Sequence, residues 1–137
     1  MFTNGCFDLL HAGHIQYLRQ SRALGDVLIV GINSDDSVRR LKGPSRPLIG
    51  EEDRAHVLSA LSFVDYVVVF EEDTPLELIR AIRPEILTKG ADYTVETVVG
   101  HELVQSWGGQ VKLIALVENR STTGIIDKIK AGARAGK

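Results

Sequence analysis

A chain of 137 residues with 44% apolar and 25% charged residues fits one domain, and carries enough apolar material for a core without metal or disulfide staples. Its formal net charge of −2 excludes a global positive field that would recruit nucleic acid, so any anion site has to be a local concentration of positive charge. Cys6 is the single cysteine, which excludes an internal disulfide, and no apolar run approaches the roughly 20 residues that a membrane span needs. The first motif begins at once and leaves no room for a signal peptide, so a cytoplasmic location is the default expectation.

In chain order, Met1-Phe2-Thr3 reads as the end of a strand. Ile15, Tyr17, Leu18, Ala23 and Leu24 give the stretch from Ala12 to Leu24 a helical period, with Gly25 where a C-terminal cap belongs. Val27 to Ile32 is a continuous apolar run suited to a central parallel strand, and Ser34-Asp35-Asp36-Ser37 offers N-caps for a short helix. Lys42 to Pro47, with two prolines and a glycine, is loop by composition, and its basic residues suggest a lid that orders on ligand binding. Glu51-Glu52-Asp53 opens a helix that runs to about Leu61, its acids suiting the helix dipole.

Tyr66 to Phe70 is a strand. Thr74-Pro75-Leu76-Glu77 combines an N-cap, a proline at the first helical position and a capping-box glutamate; that helix stops at Arg83-Pro84. Ile86-Leu87-Thr88 is a fourth strand. A helix is predicted from about Val95 to Trp107, ending at Gly108-Gly109, and Val111 to Val117 is the fifth strand. A last helix begins after Ser121-Thr122-Thr123 and includes Ile125, Ile126 and Ile129. The domain is expected to span residues 1–130, with 131–137 a fraying tail. Strands alternating with helices specify βαβ units with right-handed crossovers: one three-layer α/β/α domain with a five-stranded parallel sheet, whose ligands bind beyond the carboxyl ends of the strands where the strand order reverses.

His11 and His14 straddle the start of the first helix and can share one face. Free backbone N–H groups and the positive end of the helix dipole attract an anion there. Gly5 permits a tight turn after the strand, and Gly13 lets a phosphate approach the backbone without meeting a Cβ. Two imidazoles at that place can donate hydrogen bonds to phosphate oxygens. A zinc site is the rival reading, but it needs a third protein ligand, and no spacing ties Cys6, His56 or His101 to the pair; no metal ligand is assigned. A dinucleotide site would expect Gly-x-Gly-x-x-Gly after the first strand, where Gly5-Cys6-Phe7-Asp8-Leu9-Leu10 stands.

The string from Thr3 to His14 resembles the signature of the nucleotidyltransferase superfamily, in which a Gly-x-Phe-Asp turn leads into His-x-Gly-His. Ser121-Thr122-Thr123-Gly124-Ile125 resembles its second signature, more than a hundred residues downstream and in the right order. From Phe2 to about Lys130 the chain is further similar to the adenylyltransferase domain of the bacterial ADP-heptose synthases. The stretches that carry this likeness are Leu41 to Pro47, Glu52 to Ala55, Lys89 to Tyr93 and Arg120 to Ile126.

This resemblance implies a Rossmann-like fold of the His-x-Gly-His nucleotidyltransferase type. It also implies attack of a heptose 1-phosphate oxygen on the α-phosphate of ATP, releasing pyrophosphate. A phosphate monoester has a second pKa of about 6, so the nucleophile is already ionised and no general base is required. His11 and His14 would hold the phosphates and stabilise the transition state. Thr3, Asn4, Gly5, Phe7 and Gly13 would line the phosphate path. Lys42 matches a loop lysine that neutralises the α-phosphate, and Arg54 an arginine that reaches the triphosphate; the other reading of Arg54 is a surface salt bridge with Glu51 or Asp53. Ser121, Thr122 and Thr123 would bind the outgoing pyrophosphate through hydroxyls and a helix start.

Asp8 is expected to hold the loop rather than do chemistry, and Arg46, Lys89, Asp92 and Tyr93 are candidates for the sugar phosphate. Mg²⁺ would arrive on the nucleotide, not in a protein cage. The partners implied are small molecules, with a homodimer plausible by analogy and neither nucleic acid nor membrane involved. A cytidylyltransferase acting on glycerol 3-phosphate or a similar alcohol phosphate is the alternative enzyme, and a non-catalytic nucleotide-binding protein the alternative of another class.

Overall fold

The computed structural model describes residues 1–115 and 122–135. Strands β1 (Phe2–Gly5), β2 (Ile29–Asn33), β3 (Tyr66–Phe70), β4 (Ile86–Gly90) and β5 (Gln110–Ile114) form one parallel sheet in the order β3-β2-β1-β4-β5. Between them run α1 (Ala12–Arg22), α2 (Asp35–Lys42), α3 (Glu51–Ser59), α4 (Leu76–Ile82) and α5 (His101–Ser106), and α6 (Thr122–Ala135) follows β5.

The apolar runs of the strands are explained by burial on both faces. On one side Leu28, Val30 and Ile32, two residues apart, pack with Leu18 of α1 and Leu58 of α3. On the other, Phe2 and Leu87 pack with Ile79 of α4, with Val98 ahead of α5 and with Val104 of α5. Gly31 in β2 is required by this packing, because a Cβ there would lie 2.8 Å from the Phe2 ring and 3.2 Å from Leu78.

The strand order reverses at β1, which has β2 on one side and β4 on the other. Its ladder with β2 runs through four residue pairs, whereas with β4 it has the single pair Phe2↔Leu87. Beyond that pair the carboxyl ends of β1 and β4 are joined by side chains instead: Thr3 Oγ1 donates to the Thr88 carbonyl, and Lys89 Nζ to the Asn4 carbonyl, each at 3.1 Å. A crevice at this switch point is where an open α/β sheet places its ligand.

Several local expectations are corrected. The helix predicted from Val95 to Trp107 is a 3-10 turn at Val95–Thr97 followed by α5, because Gly100 takes a φ of 92°. A Cβ at Gly100 would lie 2.7 Å from Ile79 Cδ1; the glycine lets the chain pass α4 so that Val98 and Val104 both reach the core. The capping box predicted at Thr74–Glu77 does not form: α4 starts at Leu76 with no side-chain cap, and Glu77 pairs with Arg80. Ser34 does cap α2, its hydroxyl accepting the Ser37 N–H at 3.1 Å. Helix α6 runs to Ala135, and residues 136 and 137 of the expected tail lie outside the described residues.

Candidate active site

The turn from β1 into α1 is built around Phe7 and Asp8. Phe7 has a φ of 48°, the left-handed region that is unusual for a residue with a bulky side chain. Its ring folds back over Gly5, where a Cβ would be 3.0 Å from Phe7 Cε2, so the glycine is required by the aromatic beside it. Asp8, its side chain 1% exposed, accepts the backbone N–H groups of Leu48 and Ile49 at 2.9 Å and Arg46 Nε at 2.7 Å. Burial on its own would raise the carboxyl pKa; these three donors outweigh it and hold the group below the ordinary carboxylate range. Asp8 therefore fastens the loop after α2 over the turn, as its expected loop-holding role requires.

The two histidines start α1 by capping each other. His11 is the N-cap, its Nδ1 accepting the Gly13 N–H at 3.0 Å, while His14 Nδ1 accepts the His11 N–H at 3.3 Å. The rings stack 3.9 Å apart between centroids. Since both Nδ1 atoms accept, each neutral ring carries its proton on Nε2. Burial, then the neighbouring His11, push the His14 pKa down to about 4, against a smaller opposing contribution from the Leu9 backbone. At neutral pH, His14 is thus an uncharged donor. The capping reading and the phosphate-donor reading use different nitrogens of the same rings and are compatible.

A cavity of about 750 Å³ opens above this turn, and the sequence candidates converge on it. Asn4, Gly5, Phe7, His11, Gly13, His14, Lys42, Arg46, Lys89, Asp92, Tyr93 and Thr123 all line it. Lys42 ends α2, and its side chain lines the cavity with no hydrogen bond or ion pair among the described residues. Thr123 lies in the first turn of α6, Thr122 begins that helix, and Ser121 lies outside the described residues.

Two candidates are placed elsewhere. Thr3 is fully buried beneath the cavity, 2.5 Å from the Tyr17 hydroxyl and bonded to Thr88, because the two-residue period of β1 turns it toward α1. Arg54, expected at the triphosphate, is buried: Nε donates to the Ile49 carbonyl, Nη1 to those of Cys6 and Asn33, and Nη2 to Asp35 Oδ1, all within 2.9 Å. Its partner is neither Glu51 nor Asp53. It satisfies carbonyls that converge where the loops after β1 and β2 meet α3.

Tyr17, Asn33, Asp73 and Thr74 also line the cavity and were not read as site residues from the sequence, and Cys6, weighed there only as a zinc ligand, lines it too. Tyr17 was findable, since it follows His14 by three residues on the same helix. Of the zinc rivals, His56 is exposed and His101 bonds the Val98 carbonyl; among the described residues no three His, Cys, Asp or Glu side chains are grouped to hold a metal.

The cytidylyltransferase-like family model matches residues 2–131. The chain belongs to the cytidylyltransferase-like family. It is, by that membership, a nucleotidyltransferase. It is 68% identical over 129 residues to the bifunctional protein HldE of Syntrophotalea carbinolica and 63% identical over 129 residues to that of Geobacter sulfurreducens, in each case over 94% of this chain and 26% of the relative. The chain thus spans about a quarter of the length of these curated relatives. The solved lipopolysaccharide core biosynthesis protein of Thermoplasma volcanium GSS1 is 32% identical with a TM-score of 0.66, covering 85% of this chain and 93% of the other.

Within this cytidylyltransferase-like fold, the cavity concentrates positive charge that the whole chain lacks. The Cys6 thiol is pushed up by burial, yet Lys42, Arg54, Arg46 and Lys89 all pull in the opposite direction. Of the lining carboxylates, Asp8 is taken by Arg46 and Asp73 by Arg40 at 2.7 Å. Neutral imidazole donors, a helix start and these cations make a site suited to phosphates. Among the described residues no helix is long and apolar enough to cross a membrane.

Proposed function

We propose that this chain transfers AMP from ATP to D-glycero-β-D-manno-heptose 1-phosphate, giving ADP-heptose and pyrophosphate for lipopolysaccharide or surface-glycan synthesis. The observation that carries the reading is the capped, stacked His11–His14 pair at the start of α1, with both ring protons directed to Nε2, beside a cation-lined cavity of about 750 Å³. The names of the HldE relatives and of the lipopolysaccharide core biosynthesis protein support the sugar side of it.

An oxygen of the acceptor phosphate attacks the α-phosphorus of ATP, and the bond from that phosphorus to the bridging oxygen of pyrophosphate breaks. The nucleophile is a dianion near neutral pH, so no proton has to be removed. His11 and His14 donate to oxygens on which charge builds up, and Lys42 neutralises the α-phosphate. Asn4, Gly5, Phe7 and Gly13 line the phosphate path, and Ser121, Thr122 and Thr123 receive the pyrophosphate. Arg46, Asp92 and Tyr93 meet the acceptor, and Lys89 is a further candidate for its phosphate. Mg²⁺ comes bound to the nucleotide's phosphate oxygens and supplies charge neutralisation there; the lining residues, with Asp8 and Asp73 held by arginines, fit a cation carried in this way.

The family description favours a second reading, transfer from CTP to an alcohol phosphate. Pyrophosphate release measured with ATP or CTP against heptose 1-phosphate and glycerol 3-phosphate separates the two. Nucleotide binding without release from any pair would instead mark a binding protein. The variant His14→Ala is expected to lower kcat about a hundredfold or more, the loss typical of one transition-state donor. A folded His14→Ala protein with near-normal turnover would sink the assignment.

A further inference from the structure

Among the described residues, Lys89 is the cavity cation whose ammonium lies at the switch point itself. It is next to last in β4, and its Nζ reaches across to the Asn4 carbonyl at 3.1 Å, where the β1–β4 ladder has already stopped. The Tyr93 ring covers it, 5.1 Å from Nζ to the ring centroid. An ammonium has three donors and one is used here. Among the described residues no carboxylate stands within 4.0 Å of Nζ: Asp8 and Asp73 are held by Arg46 and Arg40, and the exposed Asp92 is beyond pairing distance.

A half-buried ammonium with one neutral protein acceptor has two N–H groups left for water or an anion, and an anion also offsets its charge. Burial accordingly pushes the Lys89 pKa down, with Lys42 adding to the effect and Cys6 and Asp92 opposing it. The unsatisfied side of this ammonium lies against the same cavity as His11, Gly13 and His14.

We propose that Lys89 is a phosphate-holding residue, its ammonium taking a phosphate oxygen of one of the two substrates while the Asn4 carbonyl and the Tyr93 ring hold it in place. This deepens the reading above and rests on it only for the identity of those substrates. The shared chemistry is a phosphate oxygen, whose source is the nucleotide or the acceptor. A strut between β1 and β4 would need a donor at this position but not a full charge, which gives the test its contrast.

Lys89→Gln keeps a donor and loses the charge; Lys89→Arg keeps the charge. Calorimetry on the full chain, without turnover, measures Mg–ATP and heptose 1-phosphate separately. Lys89→Gln is expected to weaken one of them about tenfold, the scale of one charge-assisted hydrogen bond, with Lys89→Arg recovering most of the loss. Loss confined to ATP assigns the nucleotide's phosphate, and loss confined to the sugar phosphate assigns the acceptor's. If Lys89→Gln binds both like the wild type and only melts earlier, Lys89 is a strut and the proposal fails. Should that variant not fold, NMR of the isotopically dimethylated wild-type lysines replaces it: the Lys89 resonance must move on adding pyrophosphate or heptose 1-phosphate, and no movement with either overturns the proposal. A wild type that binds ATP but never releases pyrophosphate defeats the proposed function alone.

Discussion

His14 Nδ1 accepts the backbone N–H of His11 at 3.3 Å, and this bond fixes the start of α1 and the tautomer of the ring together. Protonating that nitrogen would convert an acceptor into a donor facing a donor, at a helix end that repels cations. The site and the helix are therefore sensitive to the same proton.

That coupling predicts an acid-labile fold. The His14 pKa is about 4 in the folded chain, against about 6.5 for an unperturbed histidine, so the unfolded state takes the proton first. Stability is complete above about pH 6.5, falls as pH drops toward 4 and then stops falling on this account, a total of about 3 kcal/mol. Urea midpoints across that range should slope more steeply in the wild type than in His14→Gln. Equal slopes would mean that the ring is not buried neutral.

Asp8→Asn should loosen the loop on which Arg46 sits. The substitution removes the charge and turns an amide nitrogen toward the N–H groups of Leu48 or Ile49, costing about 2–4 kcal/mol in unfolding free energy. The sign with pH is the same as for His14, although here it is the charged form that the fold stabilises. The folded-state pKa of Asp8 is depressed, so its contribution is present above the unfolded value of about 4 and lost as pH falls through the folded one. Denaturation curves of the two proteins should differ at pH 7 and converge in strong acid.

Arg54→Met tests whether the buried Arg54 serves the fold or the triphosphate. It strips the Ile49, Cys6 and Asn33 carbonyls and the Asp35 carboxylate of their donor, and a loss of about 3–5 kcal/mol is expected from breaking such a buried pair. Arg54→Lys should recover little, since one ammonium cannot reproduce the fork. ATP affinity of the remaining folded protein, by calorimetry, should stay within about threefold, a range of some 0.7 kcal/mol. A stable variant with a large loss of ATP affinity would return Arg54 to the triphosphate.

Gly5→Ala should displace the Phe7 ring by a few tenths of an ångström, with a cost of about 1–3 kcal/mol for overpacking beside the turn. Thermal unfolding measures it, and an unchanged melting temperature would show that the ring does not press on Gly5.

Much of this site was legible because its causes are local. A helix start after a strand can be read from neighbouring residues, and so could the His11–His14 spacing and the loop-holding part of Asp8. Arg54 was not legible. The carbonyls it satisfies belong to Cys6 and Asn33, 48 and 21 residues away, and they need a donor only because two loops converge. Gly100 is similar: its neighbours read as continuous helix, and the contact that breaks it comes from Ile79 on another helix.

By itself the sequence determined the alternation of strands and helices, hence the parallel sheet, and it placed a histidine-capped turn at the end of the first strand, because period and capping are short-range effects. Tertiary structure decided which polar side chains face the cavity and which are buried beneath it. Thr3 and Lys89 both bridge β1 and β4, yet one is sealed under Tyr17 and the other lines the crevice. The difference arises from where the two strands part, and no single strand contains that information.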